Sequence, residues 1–295
     1  MRTLLALFLL VSAWTMAATP AANPLDTDPG AGGMFPPSIE ELTITVDGAR
    51  MSGLLYQAAG LGPHPTVIML HGFPGNEKNL DIAQVIRRAG FNVLFFHYRG
   101  AWGSEGDYCL DHLPDDVAAA VNFLRSNATR YRVNTRKISL LGHSMGGYAA
   151  LAAGRKDPGL ACVGAMSPAN LGLMAEGIRV NESSSLQFLD YADGLFMLNN
   201  FDGKHMREDL LSISPMSLDT RQFGVGLSGK SVLMVVGDRD QVTPAESMFS
   251  PTVAAYERNS AIRLRHYIIP GDHSFSWSRI QLTELILEWL LADCR

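Results

Sequence analysis

The chain has 295 residues, enough for one large α/β domain or two smaller ones. With 47% hydrophobic and 18% charged residues it can bury a substantial core, and disorder is expected only near the N-terminus. A net charge of −5, from 24 basic and 29 acidic residues with no basic run, leaves nothing that favours nucleic acid. Such binding draws on phosphate neutralisation by Lys and Arg.

Residues 1–18 have the make-up of a secretory signal. Arg2 gives a short positive region, residues 4–13 are apolar but short for a bilayer span, and Ala17 or Ala18 offers a cleavage point. The expectation is a secreted or periplasmic protein with no stable membrane span after cleavage. Residues 19–37 are rich in Ala, Pro, Gly and Asp without apolar period, which predicts a flexible linker before a domain at 38–295.

Residues 42–46 and 51–56 are β-rich and flank Asp47-Gly48, a hairpin signal. The rhythm then changes. Apolar runs at 66–70, 92–97, 137–141, 161–166, 231–237 and 264–269 predict strands. Helical spacing at 80–89, 115–125, 244–256 and 278–291 falls between or after them, and a helix should open just after Gly142-His143-Ser144-Met145-Gly146-Gly147. Alternating strands and helices predict a mostly parallel sheet covered on both faces, with antiparallel strands at its N-terminal side.

Residues 168–228 break this alternation, with weak helical patches at 171–178, 185–198 and 206–211. A structureless loop of that length would be unusual, so a small helical cap inserted over the site is expected. Its Phe188, Leu189, Tyr191, Leu195, Phe196, Met197 and Phe201 could line an apolar pocket, although most should only join cap to core.

Of the three cysteines, Cys162 lies in an apolar run and reads as a buried thiol. That leaves Cys109 with Cys294 as the expected bridge in an oxidising compartment.

The chemistry centres on Gly142-x-Ser144-x-Gly146, a nucleophile elbow between a strand and a helix. Glycines are needed where the strand doubles back, and the serine hydroxyl is lifted clear of the sheet at a helix N-terminus. Serine is a weak nucleophile at neutral pH and needs a base, itself oriented by an acid. The strand at 231–237 runs into Asp238-Arg239-Asp240, and the strand at 264–269 runs into Gly271-Asp272-His273. Serine, acid and histidine thus each follow a strand in the order Ser…Asp…His. His273 is the candidate base. Asp240 is preferred as the acid over Asp238, a natural turn residue, and over Asp272, whose adjacency to His273 points the two side chains apart. His143 should pack beside the nucleophile, while His71, His97, His112 and His266 lack the right order or loop. Backbone N–H groups of Phe73, in His71-Gly72-Phe73-Pro74-Gly75, and of Met145 are the expected oxyanion donors. No metal-ligand spacing, dinucleotide loop or phosphate-binding Lys is found, so no metal or cofactor is implied.

Together these pieces resemble the α/β-hydrolase superfamily from about residue 40 onward. The block Tyr98-Arg99-Gly100 to Gly103-Ser104-Glu105-Gly106 is similar to esterase and prolyl-oligopeptidase-like members, in which the residue before it is often Asp or Asn; here it is His97. In that family the acid stands three residues after the glycine, as Asp240 follows Gly237. The resemblance implies a serine hydrolase acting on a small-molecule carboxylic ester through an acyl-enzyme. An amide-cleaving, aminopeptidase-like enzyme is the alternative, and a catalytically silent binding protein a third reading. Oligomeric state and substrate identity stay open.

Overall fold

Asp47 and Gly48 both take positive φ, 48° and 83°, which suits a two-residue hairpin turn whose twist matches its strands. They join β1 (Ser38–Val46) to β2 (Ala49–Gln57) as an antiparallel pair. This computed structural model describes residues 23–30 and 33–295. The signal expected at 1–18 and part of the linker at 19–37 lie outside the described residues.

Beyond the hairpin come β3 (His64–Leu70), β4 (Asn92–Phe96), β5 (Val133–His143), β6 (Cys162–Met166), β7 (Ser231–Gly237) and β8 (Arg263–Ile269). One eight-stranded sheet results, in the order β1-β2-β4-β3-β5-β6-β7-β8. β2 meets β4 antiparallel, and every pairing from β4 to β8 is parallel. The chain leaves β3 for β4 on one side and returns to β5 on the other. That reversal opens a crevice at the C-terminal ends of the strands, where open α/β sheets place their sites.

Strand alternation divides the core in two. Val67 and Met69 face one layer with Ile82 and Ile86 of α1 (Leu80–Arg88). Ile68 and Leu70 face the other, with Val117 and Val121 of α2 (Leu113–Ser126). Two aspartates in the first turn and Arg125 in the last suit the dipole of α2. A single turn, α3 (Ala128–Tyr131), leads into β5, and α4 (Met145–Gly154) follows it, buried at every residue. β5 begins at Val133, four residues before the expected start, beyond a register shift opposite His64 and Thr66.

Residues 168–228 hold α5 (Leu171–Arg179), α6 (Ser183–Ala192), α7 (Gly203–Ser212), α8 (Pro215–Leu218) and a 3-10 stretch at Thr220–Leu227. Asn170 caps α5 by accepting from Gly172 and Leu173 N–H, and its amide donates to Asp219 at 2.7 Å. That one pair ties the two ends of the segment together. Its middle is tied to residues 98–108: Trp102 N–H donates to Met197 O at 2.9 Å, and Asn199 N–H to Gly100 O at 2.7 Å. α9 (Ser250–Glu257) and α10 (Arg279–Trp289) complete the cover.

The expected Cys109–Cys294 bridge is not the one present. Cys162 is bonded to Cys294, with Cα atoms 5.9 Å apart, and Cys109 is free. The reason is which face of the sheet each occupies. Cys162 on β6 and Cys294 beyond α10 belong to the layer containing Trp289 and Leu290. Cys109 lies between Tyr108 and Leu110, which belong to the opposite layer. Non-reducing peptide mapping should recover a Cys162–Cys294 cross-linked pair and alkylated Cys109. Because the bridge closes a loop of sequence separation 132, Cys294→Ser should cost about 2–5 kcal/mol in denaturant unfolding.

Candidate active site

β5 passes into α4 through Ser144, which takes φ 56° and ψ −120°. Neighbouring glycines make that conformation attainable. A Cβ on Gly142 would collide with the carbonyl of Gly146, and one on Gly146 with the carbonyl of Leu70. Ser144 N–H donates to Met166 O at 2.9 Å, and Ser144 O accepts from Tyr148 and Ala169 N–H at 3.1 and 3.0 Å. Met145 is the first residue of α4, so its N–H has no acceptor within its own helix. Residues 71–75 approach from the end of β3. A Cβ on Gly72 would stand 3.0 Å from Ser144 Cβ.

On the other side the loops after β7 and β8 converge. Asp240 Oδ2 accepts from His273 Nδ1 at 2.8 Å. A carboxylate only accepts, so the ring proton sits on Nδ1 and a neutral His273 keeps its Nε2 lone pair free. Thr243 completes the acid's surroundings: its N–H donates to Asp240 Oδ1 at 2.9 Å and its hydroxyl to Oδ2 at 2.7 Å. Burial disfavours ionisation of Asp240, but His273 and Thr243 outweigh it and hold the carboxyl well below its usual range. The other two aspartates are occupied locally. Asp238 accepts from Gly271 N–H, and Asp272 from Ser274 and Ser276 N–H. The structure thus joins Asp240, not its competitors, to His273.

His143 lies beside the elbow, as expected. Its Nε2–H donates to the backbone carbonyl of His273 at 2.7 Å, and the two rings stand 4.8 Å apart. The residue before Ser144 therefore holds the His273 loop against the elbow. His71 and His97 are also drawn together, with His97 Nδ1 3.3 Å from His71 Nε2. His266 meets Glu257 away from these loops. Thr243, Trp102 and the His71–His97 pair were not singled out for roles from sequence. Thr243 stands three residues after Asp240, and that spacing was the available signal.

Phe73, Ser144 and Met145 line one cavity of about 800 Å³. Leu171, Met174, Phe188, Met206 and Met248 supply much of its apolar wall, with Glu176, Arg179 and Glu182 also along it. Of the apolar residues expected to line it, Phe188 does so. Leu189 and Phe201 are buried in packing, and Phe196 stands exposed. Among the described residues no cluster of three or more His, Cys, Asp or Glu could hold a metal ion, and no helix is long and apolar enough to cross a membrane.

The model of the alpha/beta hydrolase fold matches residues 65–252, and the chain belongs to that family. Along its length it is 28% identical over 257 residues to the uncharacterized protein YfhR of Salmonella typhimurium, covering 83% of this chain and 78% of that one. A shorter match, 32% identical over 131 residues, is to the thiohydrolase apmlB of Arthrinium phaeospermum, covering 42% of this chain and 41% of that protein. Among solved structures, Est1E from Butyrivibrio proteoclasticus superposes with a TM-score of 0.65 at 21% identity, over 85% of this chain and 97% of its own.

Burial lowers His71 and His143 to about 4 and His97 to about 3, with the nearby Lys78 charge adding to the effect at His71 and His97. Below pH 6.5 these rings take up protons in the unfolded chain sooner than in the folded one. Stability should therefore fall as pH drops from about 6.5 toward 4. Asp240 acts in the same sense at lower pH, its contribution being lost as its carboxylate protonates. Thermal melts between pH 7 and pH 4 should show Tm falling by roughly 10 °C or more. His143→Gln should reduce that slope.

Proposed function

We propose that this protein is a serine hydrolase of carboxylic esters. The observation that carries the reading is the chain of contacts joining Asp240 to His273 Nδ1 at 2.8 Å and the His273 carbonyl to His143, next to Ser144, at 2.7 Å. In this reading Ser144 Oγ attacks the ester carbonyl. His273 Nε2 takes the hydroxyl proton and passes it to the leaving alcohol. Asp240 fixes the Nδ1–H tautomer and stabilises the imidazolium while it lasts. The developing oxyanion is received by the N–H groups of Phe73 and Met145. Water, activated by the same imidazole, then releases the acid from Ser144.

The apolar wall formed by Leu171, Met174, Phe188 and Met248 suits an apolar acyl group, and residues 168–228 act as the cap that selects it. The thiohydrolase relative and the Est1E structure determined with ferulic acid bound support hydrolysis of acyl bonds. We place the enzyme outside the cytoplasm, a reading supported by the Cys162–Cys294 bond, because such bonds persist in oxidising compartments.

A fluorophosphonate probe should label the protein, and Ser144→Ala should abolish labelling. Asp240→Asn should lower kcat by about 10³–10⁴, as expected where the base loses its tautomer. Nitrophenyl esters should be turned over in preference to aminoacyl anilides, and turnover of anilides alone would favour the amide reading. Folded protein with neither labelling nor turnover would contradict the assignment. In an ester series from acetate to dodecanoate, Met174→Trp should shift the optimum toward shorter chains.

A further inference from the structure

The two imidazoles on the far side of Ser144 form a directed chain. Gly72 O lies 2.8 Å from His71 Nδ1 and can only accept, so His71 carries its proton on Nδ1. Burial keeps the ring neutral, which leaves Nε2 as an acceptor. His97 Nδ1, 3.3 Å away, must then be the donor to it. The sequence of bonds is His97 Nδ1–H to His71 Nε2, and His71 Nδ1–H to Gly72 O.

Gly72 O belongs to the peptide whose N–H is that of Phe73. This peptide is trans, so its carbonyl and N–H point to opposite sides. A ring that grips the oxygen therefore fixes the direction of the Phe73 N–H, and withdrawing electron density from that oxygen makes the N–H a better donor. The same loop is held a second time. Trp102 Nε1–H donates to Pro74 O at 2.8 Å, and His97 stacks on Trp102 with centroids 5.9 Å apart. Gly75 admits both supports: a Cβ there would stand 2.7 Å from Trp102 Nε1 and 2.8 Å from the His71 ring. His97 touches both supports and does not line the cavity around Ser144. It reaches instead a separate cleft of about 600 Å³ lined by Lys78, Glu41 and Ser52.

We propose that His97 is a positioning residue for the oxyanion hole, acting through His71 on the Gly72–Phe73 peptide. The inference rests on the reading of Ser144 as nucleophile and Phe73 N–H as oxyanion donor. It assigns a function to a ring at the end of β4 that takes no part in proton transfer to substrate.

Three variants separate positioning from plain packing. Asn at 97 places an amide N–H where Nδ1 stands. Gln places its amide farther out, and Leu keeps bulk without any donor. On a nitrophenyl ester, His97→Leu and His97→Gln should each lower kcat about tenfold, short of the ~10²–10³ for losing an oxyanion donor outright. KM should stay within about twofold. A trifluoromethyl ketone, which forms an oxyanion on Ser144, should bind about tenfold more weakly to both, while the matching alcohol, which forms none, should be unaffected. His97→Asn should restore kcat to within about threefold of the unaltered enzyme. Thermal melts of each variant confirm that folded protein is compared, and the Asn–Gln contrast stands should the Leu variant misfold. Unchanged kcat in His97→Gln, or equal damage in His97→Asn and His97→Gln, would overturn the proposal while leaving the hydrolase reading intact. Absence of turnover and labelling in the unaltered enzyme would overturn both.

Discussion

A serine backbone held at φ 56° is the constraint around which this molecule is arranged. A non-glycine residue in so sparsely populated a region costs about 1–3 kcal/mol and persists only where its surroundings over-determine it. Here they do so from several directions. Gly142 and Gly146 let strand and helix backbones come closer than any side chain would permit. Met166 O and Ala169 N–H grip the serine's own peptide groups. β3 and β6, which flank β5 in the sheet, supply the loops that reach it from both sides. The arrangement sets Ser144 at the C-terminal end of a central strand, in the wall of the cavity it shares with Phe73 and Met145.

Two groups of loops approach the elbow, and they come from different parts of the sheet. One holds an acid and an imidazole after β7 and β8, with Thr243 completing the carboxylate's bonds. The other holds a peptide N–H after β3, with two neutral imidazoles behind it. Burial governs both through opposite outcomes. At Asp240, several hydrogen bonds and the His273 ring outweigh desolvation, so the buried group stays charged. At His71, His97 and His143 desolvation wins, so the buried rings stay neutral and can both donate and accept.

Residues 168–228 are joined to the core by polar contacts along their length. Asn170 and Asp219 close the segment on itself, and Asn199 with Met197 pins its middle to the loop after β4. Between these anchors the helices are short, and their apolar residues divide among cavity wall, packing and solvent. On the opposite face, the Cys162–Cys294 bond fastens the end of the chain to β6, away from the site.

Local chemistry was enough to read a great deal. The Asp47-Gly48 turn, the apolar runs of the parallel strands and the glycine spacing around Ser144 each express rules that act over a few residues. The order of serine, acid and histidine therefore emerged from the chain itself, as did the sheet and its helical cover. Contacts between distant residues did not. Sequence spacing favours Asp240 over Asp238 and Asp272, and the folded loops set it against a histidine 33 residues away, with Thr243 as a further partner that the order of residues does not reveal. The apolar run around Cys162 suggests a buried thiol, yet the sheet puts Cys109 and Cys162 in opposite layers, and Cys294 shares the layer of Cys162. His97 stands out in sequence as a histidine where Asp or Asn is common, but only the return of the chain from β3 to β4 brings it to His71. Periodicity records which residues avoid water. Which of them meet depends on strand order and face, and those are settled only when distant segments pack.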